Sequence, residues 1–277
     1  MAMTQSTRPV AFITGGTSGI GAACADAFAR EGYIVYAASR HAEGSAQSVG
    51  KGEIRPLRLD VREVASVQEA AETALREAGK VDVLIHCAGI GIGGPAEDTP
   101  MEDAQRQLDV NYFGVLRVNQ ALLPAMREGG GGRVIIIGSV AGIFPIPYQS
   151  QYSASKFALE TYAAALRIEA KAFGLRVSLI EPGDTKTGFT AARRNAAPEN
   201  SPYREACARS VAKMERDELN GRAPSECAKV ALRLARRKRP PLRNVVGWDY
   251  KLLVFARRLL PDSFVEWVLR AMYIPRG

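Results

Sequence analysis

The sequence Val10-Ala-Phe-Ile-Thr14-Gly15-Gly16-Thr17-Ser18-Gly19-Ile20-Gly21 decides the fold. A short apolar run ends at Thr14, and a glycine-rich turn leads from it into a helical pattern that continues to Arg30. Glycine lets the backbone approach a phosphate group closely, and the amino end of a helix favours negative charge. Strand, glycine-rich turn and helix in this order therefore predict a dinucleotide site. The spacing is Gly-x3-Gly-x-Gly, whereas Gly-x-Gly-x-x-Gly is more common.

Apolar runs alternate with stretches of helical period along most of the chain. The runs predict strands at 10–14, 34–38, 54–59, 81–86, 133–138 and 176–180, and the helical patterns cover 20–30, 64–78, 104–126 and 154–173. This alternation predicts a parallel sheet with crossover helices. Continuous apolar strands such as 134–137 indicate helices on both sheet faces. The predicted fold class is a single-domain, doubly wound α/β sheet with a helical C-terminal extension.

Three segments are expected within this single domain of residues 1–277. Residues 8–183 form the predicted cofactor-binding and catalytic core. Residues 184–222 are irregular and polar, which predicts a substrate lid. Residues 223–277 form a predicted basic, helical C-terminal arm.

Composition excludes several classes of protein. The 277 residues are 47% hydrophobic and 24% charged, which is typical of a soluble globular protein and excludes disordered and fibrous chains. Four scattered cysteines and two histidines indicate no metal site, and no serine lies in a hydrolase nucleophile context. The polar start and the short run 10–13 predict no signal peptide, so the expected location is the cytoplasm.

The net charge of +8 is concentrated at one end of the chain. Residues 233–277 contain 11 basic and 3 acidic side chains, while residues 1–232 contain 26 of each. Such asymmetry indicates either an anionic partner or a solvated basic face.

The second predicted strand ends in Ala38-Ser39-Arg40, without the acidic residue that usually accepts the ribose hydroxyls of NAD. The Arg40 guanidinium has a planar set of donors that suits a 2′-phosphate. NADP(H) is therefore the expected cofactor rather than NAD(H). An ordinary surface arginine is the alternative.

Tyr152 and Lys156 are four residues apart in a helical pattern, so they lie on one face of that helix. A nearby ammonium lowers the pKa of a tyrosine, which then acts as an acid or a base. The spacing alone is common and needs support from other residues.

That support comes from motifs in a fixed order, through which residues 8–190 resemble the short-chain dehydrogenase/reductase family. The motifs are the turn at 14–21, Asp60-Val61, Asn111-Tyr-Phe-Gly114, Ser139, Tyr152-x3-Lys156 and Pro182-Gly183. The resemblance implies a Rossmann fold and catalytic roles for Asn111, Ser139, Tyr152 and Lys156. In these roles Tyr152 moves the substrate proton, Ser139 holds the carbonyl oxygen, Lys156 grips the ribose and lowers the tyrosine pKa, and Asn111 holds a relay water.

The resemblance also implies a set of cofactor contacts. These are Gly15, Thr17, Ser18, Gly19, Ile20, Gly21, Ser39, Arg40, Asp60, Val61, Ala88, Gly89, Asn111, Tyr152, Lys156, Pro182, Gly183, Thr185 and Thr187. One departure is His86-Cys87 before Ala88-Gly89, where the family often has two asparagines. We interpret His86 as structural and Cys87 as a small buried apolar residue.

The segments expected to line the substrate side are almost free of charge. Besides Ser139 and Tyr152, the expected substrate contacts are Ile90, Ile143, Phe144 and Phe189. An apolar wall suits a bulky lipophilic ketone, aldehyde or alcohol rather than a charged sugar.

The C-terminal arm combines basic residues with apolar helical stripes. It can dock on a membrane surface, cover the active site or pack against another subunit, and docking within the protein is preferred. No recognition module accompanies the charge, so nucleic acid is not an expected partner. A homodimer or homotetramer is expected from the family resemblance.

The sequence therefore predicts an NADP(H)-dependent oxidoreductase acting on a lipophilic carbonyl compound and its alcohol. Reduction of a 3-oxoacyl group on an acidic acyl carrier protein is one alternative. A non-catalytic module that senses NADPH is the other.

Overall fold

The structure is a computed structural model and describes residues 6–274. The outermost residues of the predicted domain, 1–5 and 275–277 with Arg276, lie outside this range. The strands are β1 (Val10–Thr14), β2 (Ile34–Ser39), β3 (Gln47–Val49), β4 (Gly52–Arg58), β5 (Val83–His86), β6 (Ile92–Gly93), β7 (Gly132–Ile137), β8 (Leu175–Glu181), β9 (Arg194–Asn195) and β10 (Arg243–Val245).

The main sheet has eight strands within the described residues, in the order β10-β8-β7-β5-β1-β2-β4-β3. All neighbouring pairs are parallel except β3 and β4. The short strands β6 and β9 form a separate parallel pair. Because the chain winds outward from β1 in both directions, a crevice forms at the carboxyl ends of β1 and β5.

Helices cover both faces of the main sheet. They are α1 (Gly19–Arg30), α2 (Val64–Ala78), α3 (Met101–Leu108), α4 (Gly114–Glu128), α5 (Ser150–Glu169), α6 (Arg204–Leu219), α7 (Pro224–Arg236), α8 (Trp248–Arg257) and α9 (Asp262–Tyr273). Residues of α2, α4 and α5 share one buried apolar cluster with the sheet, and residues of α1 and α7 share the cluster on the other face. The prediction of a doubly wound α/β sheet is confirmed.

Six strands were predicted, and they correspond to β1, β2, β4, β5, β7 and β8. The predicted helix 104–126 is two helices, α3 and α4, joined by a π-helical turn at Asp109–Phe113. The strands β3, β6, β9 and β10 have only two or three residues each, too few for a period to be recognised in the sequence.

The C-terminal arm has its basic run at the amino ends of the sheet strands and its last two helices at their carboxyl ends. Its basic run at 236–239 lies near the amino end of β7, where Arg133 donates a hydrogen bond to the carbonyl oxygen of Arg237. The helices α8 and α9 follow the carboxyl end of β10 and bury Val254 and Val265 against Phe144. No helix within residues 6–274 is long and apolar enough to cross a membrane.

Candidate active site

The glycine-rich turn is held tightly against the end of β5. The Thr14 hydroxyl accepts hydrogen bonds from the backbone N–H groups of Cys87 and Ala88, both at 3.2 Å. Gly15 has φ +65°, and a Cβ there would lie 2.8 Å from the Ala88 nitrogen. A Cβ on Gly21 would lie 2.1 Å from the carbonyl oxygen of Gly15. The turn therefore requires glycine at both positions, and it leaves the amino end of α1 facing the crevice.

The crevice contains a cavity of about 570 Å³. Most of the residues that the sequence predicts for cofactor and substrate line it. They are Gly15, Thr17, Ser18, Gly19, Ile20, Gly21, Ser39, Arg40, Asp60, Val61, Ala88, Gly89, Ile90, Ser139, Tyr152, Lys156, Pro182, Gly183, Thr185, Thr187 and Phe189. Asn111, Ile143 and Phe144 do not line it.

Polar and basic side chains meet at the end of the cavity beside β2. The Thr17 hydroxyl donates a 2.8 Å hydrogen bond to the Ser39 hydroxyl. Arg62, which sequence reasoning missed, forms a 2.6 Å ion pair with Asp60. Hydrogen bonding to Arg62, and the more distant charge of Arg40, lower the pKa of the Asp60 carboxyl. Two guanidinium groups are therefore available near the site expected for the adenosine ribose.

Ser139, Tyr152 and Lys156 meet at the other end of the cavity. Ser139 lies just beyond β7, where its hydroxyl accepts a 3.1 Å hydrogen bond from the backbone N–H of Ala141. Tyr152 and Lys156 lie one turn apart on α5. The Lys156 ammonium donates a 2.9 Å hydrogen bond to the carbonyl oxygen of Ile137 and lies 5.7 Å from the centre of the Tyr152 ring.

Burial dominates the titration of both α5 side chains. It raises the pKa of Tyr152 to about 12, although the Ser139 hydroxyl acts in the opposite direction. It lowers the pKa of Lys156 to about 8, against the opposing charges of Cys87 and Glu160. The pKa of Tyr152 is thus shifted in the direction opposite to that expected from Lys156. The reason is that burial destabilises the phenolate more than the Lys156 ammonium stabilises it at this distance.

Asn111 lies below the cavity wall in the π-helical turn and is 1% exposed. Its Oδ1 accepts a 2.9 Å hydrogen bond from the backbone N–H of Ile90, while its Nδ2 donates to the Ile90 carbonyl and to the Ser155 hydroxyl, both at 3.1 Å. The amide therefore fixes the backbone that follows β5. Irregular turns of this kind often occur at functional sites.

Phe189 forms part of the apolar wall beside the reacting end. Its ring centre lies 5.7 Å from that of Tyr152, and a Cβ on Gly91 would lie 2.7 Å from the ring. The Arg193 guanidinium stacks over Phe189 and forms an ion pair with Glu218 of α6. This wall is thus anchored to α6.

The placement of Ile143 and Phe144 differs from expectation. Phe144 is buried with Val254 and Val265 of the C-terminal helices, and Ile143 packs against the same cluster. This cover could not be predicted from the sequence, because an apolar loop suits a cavity wall and a helix contact equally well. Ile146, from the same apolar segment, does line the cavity, together with residues that were not singled out in the sequence, among them Gln149, Ala192, Met214, Glu218 and Tyr273. Met214 and Glu218 of α6 lie in the segment predicted as a lid, and Tyr273 of α9 lies in the arm for which covering the active site was one of the alternatives.

His86 has structural surroundings, whereas Cys87, which was expected to be buried, is half-buried and lines the cavity. The His86 Nε2 lies 2.9 Å from the Asn119 Oδ1, and burial lowers the pKa of His86 to about 4, so the ring is neutral at pH 7. Cys24, Cys87, Cys207 and Cys227 are free thiols. Within residues 6–274, no group of His, Cys, Asp or Glu side chains is arranged to hold a metal ion.

The glycine-rich turn and the Tyr152-Lys156 pair share one cavity, which is typical of a class of oxidoreductases. Comparison with known proteins identifies the family. Residues 9–198 match the family described as short chain dehydrogenase. The chain is 38% identical over 270 residues to 3-ketodihydrosphingosine reductase of Bacteroides thetaiotaomicron, covering 96% of this chain and 98% of the relative. It is 39% identical over 193 residues to human 17-beta-hydroxysteroid dehydrogenase type 1, covering 66% of this chain and 58% of the relative.

Solved structures agree with this assignment. A short chain dehydrogenase/reductase from Burkholderia phymatum in complex with NAD superposes with a TM-score of 0.79 at 25% identity, covering 96% of this chain and 97% of the other. An alcohol dehydrogenase from Thermococcus sibiricus complexed with 5-hydroxy-NADP gives a TM-score of 0.69 at 26% identity, covering 86% and 95%. The chain belongs to the short-chain dehydrogenase/reductase family, and it is an oxidoreductase.

Proposed function

We propose that this enzyme uses NADP(H) to interconvert a lipophilic ketone or aldehyde and the corresponding alcohol. The observation that carries the proposal is that Ser139, Tyr152 and Lys156 line the same cavity as the glycine-rich turn. Donors placed where negative charge develops on a carbonyl oxygen stabilise the transition state of carbonyl reduction.

The residues of the turn fit a dinucleotide. The close approach of Gly15 to Ala88 and of Gly21 to Gly15 leaves a cradle that any side chain would fill. Ser18 and Gly19 lie at the amino end of α1, where the helix favours a pyrophosphate. Ser39, Arg40 and Arg62 would hold the 2′-phosphate that distinguishes NADP from NAD.

When bound, the nicotinamide supplies or accepts the hydride. In the reducing direction, the substrate oxygen accepts hydrogen bonds from Ser139 and Tyr152, and the proton passes from the Tyr152 phenol to that oxygen. With a pKa of about 12, the Tyr152 phenol is protonated at neutral pH and therefore carries the proton that this step requires. Lys156, whose ammonium donates to the Ile137 carbonyl, would also hold the nicotinamide ribose, and Asn111 positions Ile90.

The cavity wall supports a lipophilic substrate. Ile90, Ile146, Phe189, Ala192 and Met214 surround the reacting end. The polar groups there besides the reacting ones are few, chiefly Gln149 and Glu218. The relative named 3-ketodihydrosphingosine reductase acts on a long-chain ketone by its name, which suits such a wall. We also propose that residues 184–222 form a lid over the substrate, because Phe189 and α6 contribute to this wall.

The test is oxidation of NADPH and NADH by the purified protein with ketones and aldehydes of increasing chain length, including a 3-keto sphingoid base. Tyr152→Phe is expected to lower the rate by about 100-fold or more. Tyr203→Phe removes an exposed hydroxyl that contacts Glu97 and is the matched control. NADPH binding without turnover on any substrate would favour the non-catalytic sensor instead.

We also propose that the enzyme is a homo-oligomer that uses the outer faces of α4 and α5. Phe113, just before α4, and Phe157 and Ile168 of α5 are large apolar side chains that are 47%, 42% and 78% exposed. Apolar side chains on adjoining helices suit a symmetric contact. Analytical ultracentrifugation of the protein and of Phe157→Ser tests this proposal. The variant is expected to dissociate at a higher protein concentration than the unchanged chain.

A further inference from the structure

Two helices of the C-terminal arm carry apolar side chains that face solvent. Along α8 and the turn after it, Trp248, Leu252, Phe255 and Leu259 are 76%, 61%, 58% and 71% exposed. Their spacing of four, three and four residues places them on one side of the helix. On α9, Phe264 and Trp267 are also exposed, and their ring centres lie 5.7 Å apart. These six side chains form what we call the outer apolar face.

The opposite side of the arm is already packed within the chain. Val254 of α8 and Val265 of α9 are buried against Phe144. The Tyr250 ring lies on Gly183, where a Cβ would be only 2.1 Å from it, and its hydroxyl donates a 2.5 Å hydrogen bond to Asp184. Packing within the chain therefore accounts for the buried side of α8 and α9 but not for their exposed apolar side chains. Both helices bury that side against the same cluster, and the six side chains of the outer apolar face are exposed.

The outer apolar face has a positively charged border. Lys251, Arg258 and Arg270 are exposed, and none of them takes part in the ion pairs found within residues 6–274. The acidic neighbours are largely neutralised, because Asp249 pairs with Arg222 and Asp262 pairs with Arg257. Glu266 is the acidic side chain of α9 left outside these pairs.

We propose that the outer apolar face docks on the surface of a bilayer that contains anionic lipid. Tryptophan and phenylalanine side chains enter the boundary between headgroups and acyl chains, and the bordering lysine and arginine side chains bind anionic headgroups. A second copy of the chain fits less well. A symmetric contact through this face would bring two surfaces of like charge together, each with the exposed Lys251 and Arg270 against the carboxylate of Glu266.

Docking in this way places the cavity beside the lipid. Tyr273, at the end of α9, lines the cavity, and the Lys213 ammonium lies 5.8 Å from the centre of its ring. A lipophilic substrate dissolved in the bilayer would then enter next to the lipid surface. This last consequence rests on the proposed function, whereas binding to the bilayer does not.

The experiment uses the intrinsic fluorescence of the full chain, without cofactor or substrate. Trp248 and Trp267 are the two tryptophans of the sequence, and both belong to the outer apolar face. Vesicles of phosphatidylcholine with phosphatidylglycerol are expected to shift the emission to shorter wavelength at low salt. Lipids brominated in the upper acyl chain are expected to quench it. High salt is expected to weaken binding, because the ionic part is screened.

Leu252→Ser/Phe255→Ser is expected to weaken vesicle binding by about tenfold or more, because two inserting side chains are lost. Met101→Ser, at the exposed first residue of α3, is the matched control and should bind like the unchanged chain. Circular dichroism and NADPH affinity verify that each variant is folded.

Three results would overturn the proposal. The first is an emission spectrum that vesicles leave unchanged at low salt. The second is equal binding to pure phosphatidylcholine at all salt concentrations. The third is a shift that needs no vesicles and grows with protein concentration alongside self-association in the ultracentrifuge, which assigns the face to a second copy.

Discussion

Glu160 of α5 and Glu181 at the end of β8 lie next to each other in the interior, 3% and 0% exposed. The Arg243 guanidinium lies 2.9 Å from Glu160. Burial, followed by the charge of Glu160, raises the pKa of Glu181 to about 8. At neutral pH the pair therefore holds a proton beside the strand end that leads to Pro182 and Gly183.

This arrangement makes folding stability depend on pH. Between the ordinary glutamate value of 4.5 and about 8, Glu181 is protonated in the folded chain but ionised in the unfolded chain. Through Glu181 the folded state binds more protons, so this group makes the free energy of unfolding fall as pH rises through the window, while His86 acts in the opposite direction below about 6.5. The slope for one proton is at most about 1.4 kcal/mol per pH unit. Urea unfolding between pH 5 and 8 measures it.

Glu181→Gln is expected to flatten this dependence, because glutamine does not titrate. Glu72→Gln, at an exposed position of α2, is the matched control and should keep the slope of the unchanged chain. The same slope in Glu181→Gln as in the control would contradict this account.

Cofactor preference is expected to depend on the end of β2. Ser39→Asp/Arg40→Leu places a carboxylate where NAD presents ribose hydroxyls and removes a donor to the 2′-phosphate of NADP. A hydrogen bond to a charged group contributes about 1.5–3 kcal/mol, so the preference for NADPH should fall by roughly 10-fold to 100-fold. The ratio of kcat/KM values for NADPH and NADH measures the change. Arg106→Leu, on the exposed side of α3, serves as control, and an unaltered ratio in the double variant argues against this assignment.

Affinity for NADPH is expected to fall as pH rises above about 8. Burial lowers the pKa of Lys156 to about 8, so its ammonium loses the charge that attracts the cofactor within this range. Lys156→Arg keeps its charge at every accessible pH and should remove the inflection, even if its overall affinity differs. Fluorescence titration of NADPH from pH 6.5 to 9.5 makes the comparison. A wild-type curve without an inflection near pH 8 would count against the lowered pKa.

Much of the fold and of the site was predictable, and the exceptions have physical causes. The buried strands β1, β2, β5, β7 and β8 carry apolar runs, so the sequence identifies them. The glycine-rich turn has local requirements that only its own residues satisfy. Whether Tyr273 or Phe144 lines the cavity depends instead on how α9 packs against the rest of the chain. Such contacts between distant segments leave no periodic pattern in the sequence, so they could not be predicted. The basic residues of the arm likewise lie at both ends of the sheet strands, because β10 runs between them. This strand has only three residues, too few for a period to be recognised in the sequence.

Phe189 is expected to determine affinity for bulky substrates. Phe189→Ala removes the ring that lies 5.7 Å from Tyr152, and burying such a side chain contributes about 1.5–3 kcal/mol. The KM for a long-chain ketone should rise by roughly tenfold or more, while the dissociation constant of NADPH stays constant. Phe173→Ala, which removes a half-exposed ring after α5, is the control. Equal losses for long and short substrates would show that Phe189 supports the fold rather than the substrate.

The glycine-rich turn is expected to tolerate no side chain at Gly21. A Cβ there would lie 2.1 Å from the carbonyl oxygen of Gly15, so Gly21→Ala forces the turn and α1 apart. Overpacking of this kind costs about 1–3 kcal/mol of stability, and the widened turn should lose most of its affinity for NADPH. Gly188→Ala is the matched control for stability, because nothing lies within 4 Å of its Cβ position. Thermal unfolding with and without NADPH separates the two effects: Gly21→Ala should have a lower Tm and gain little from the cofactor. A normal gain in Tm with NADPH would mean that the backbone of the turn does not hold the pyrophosphate.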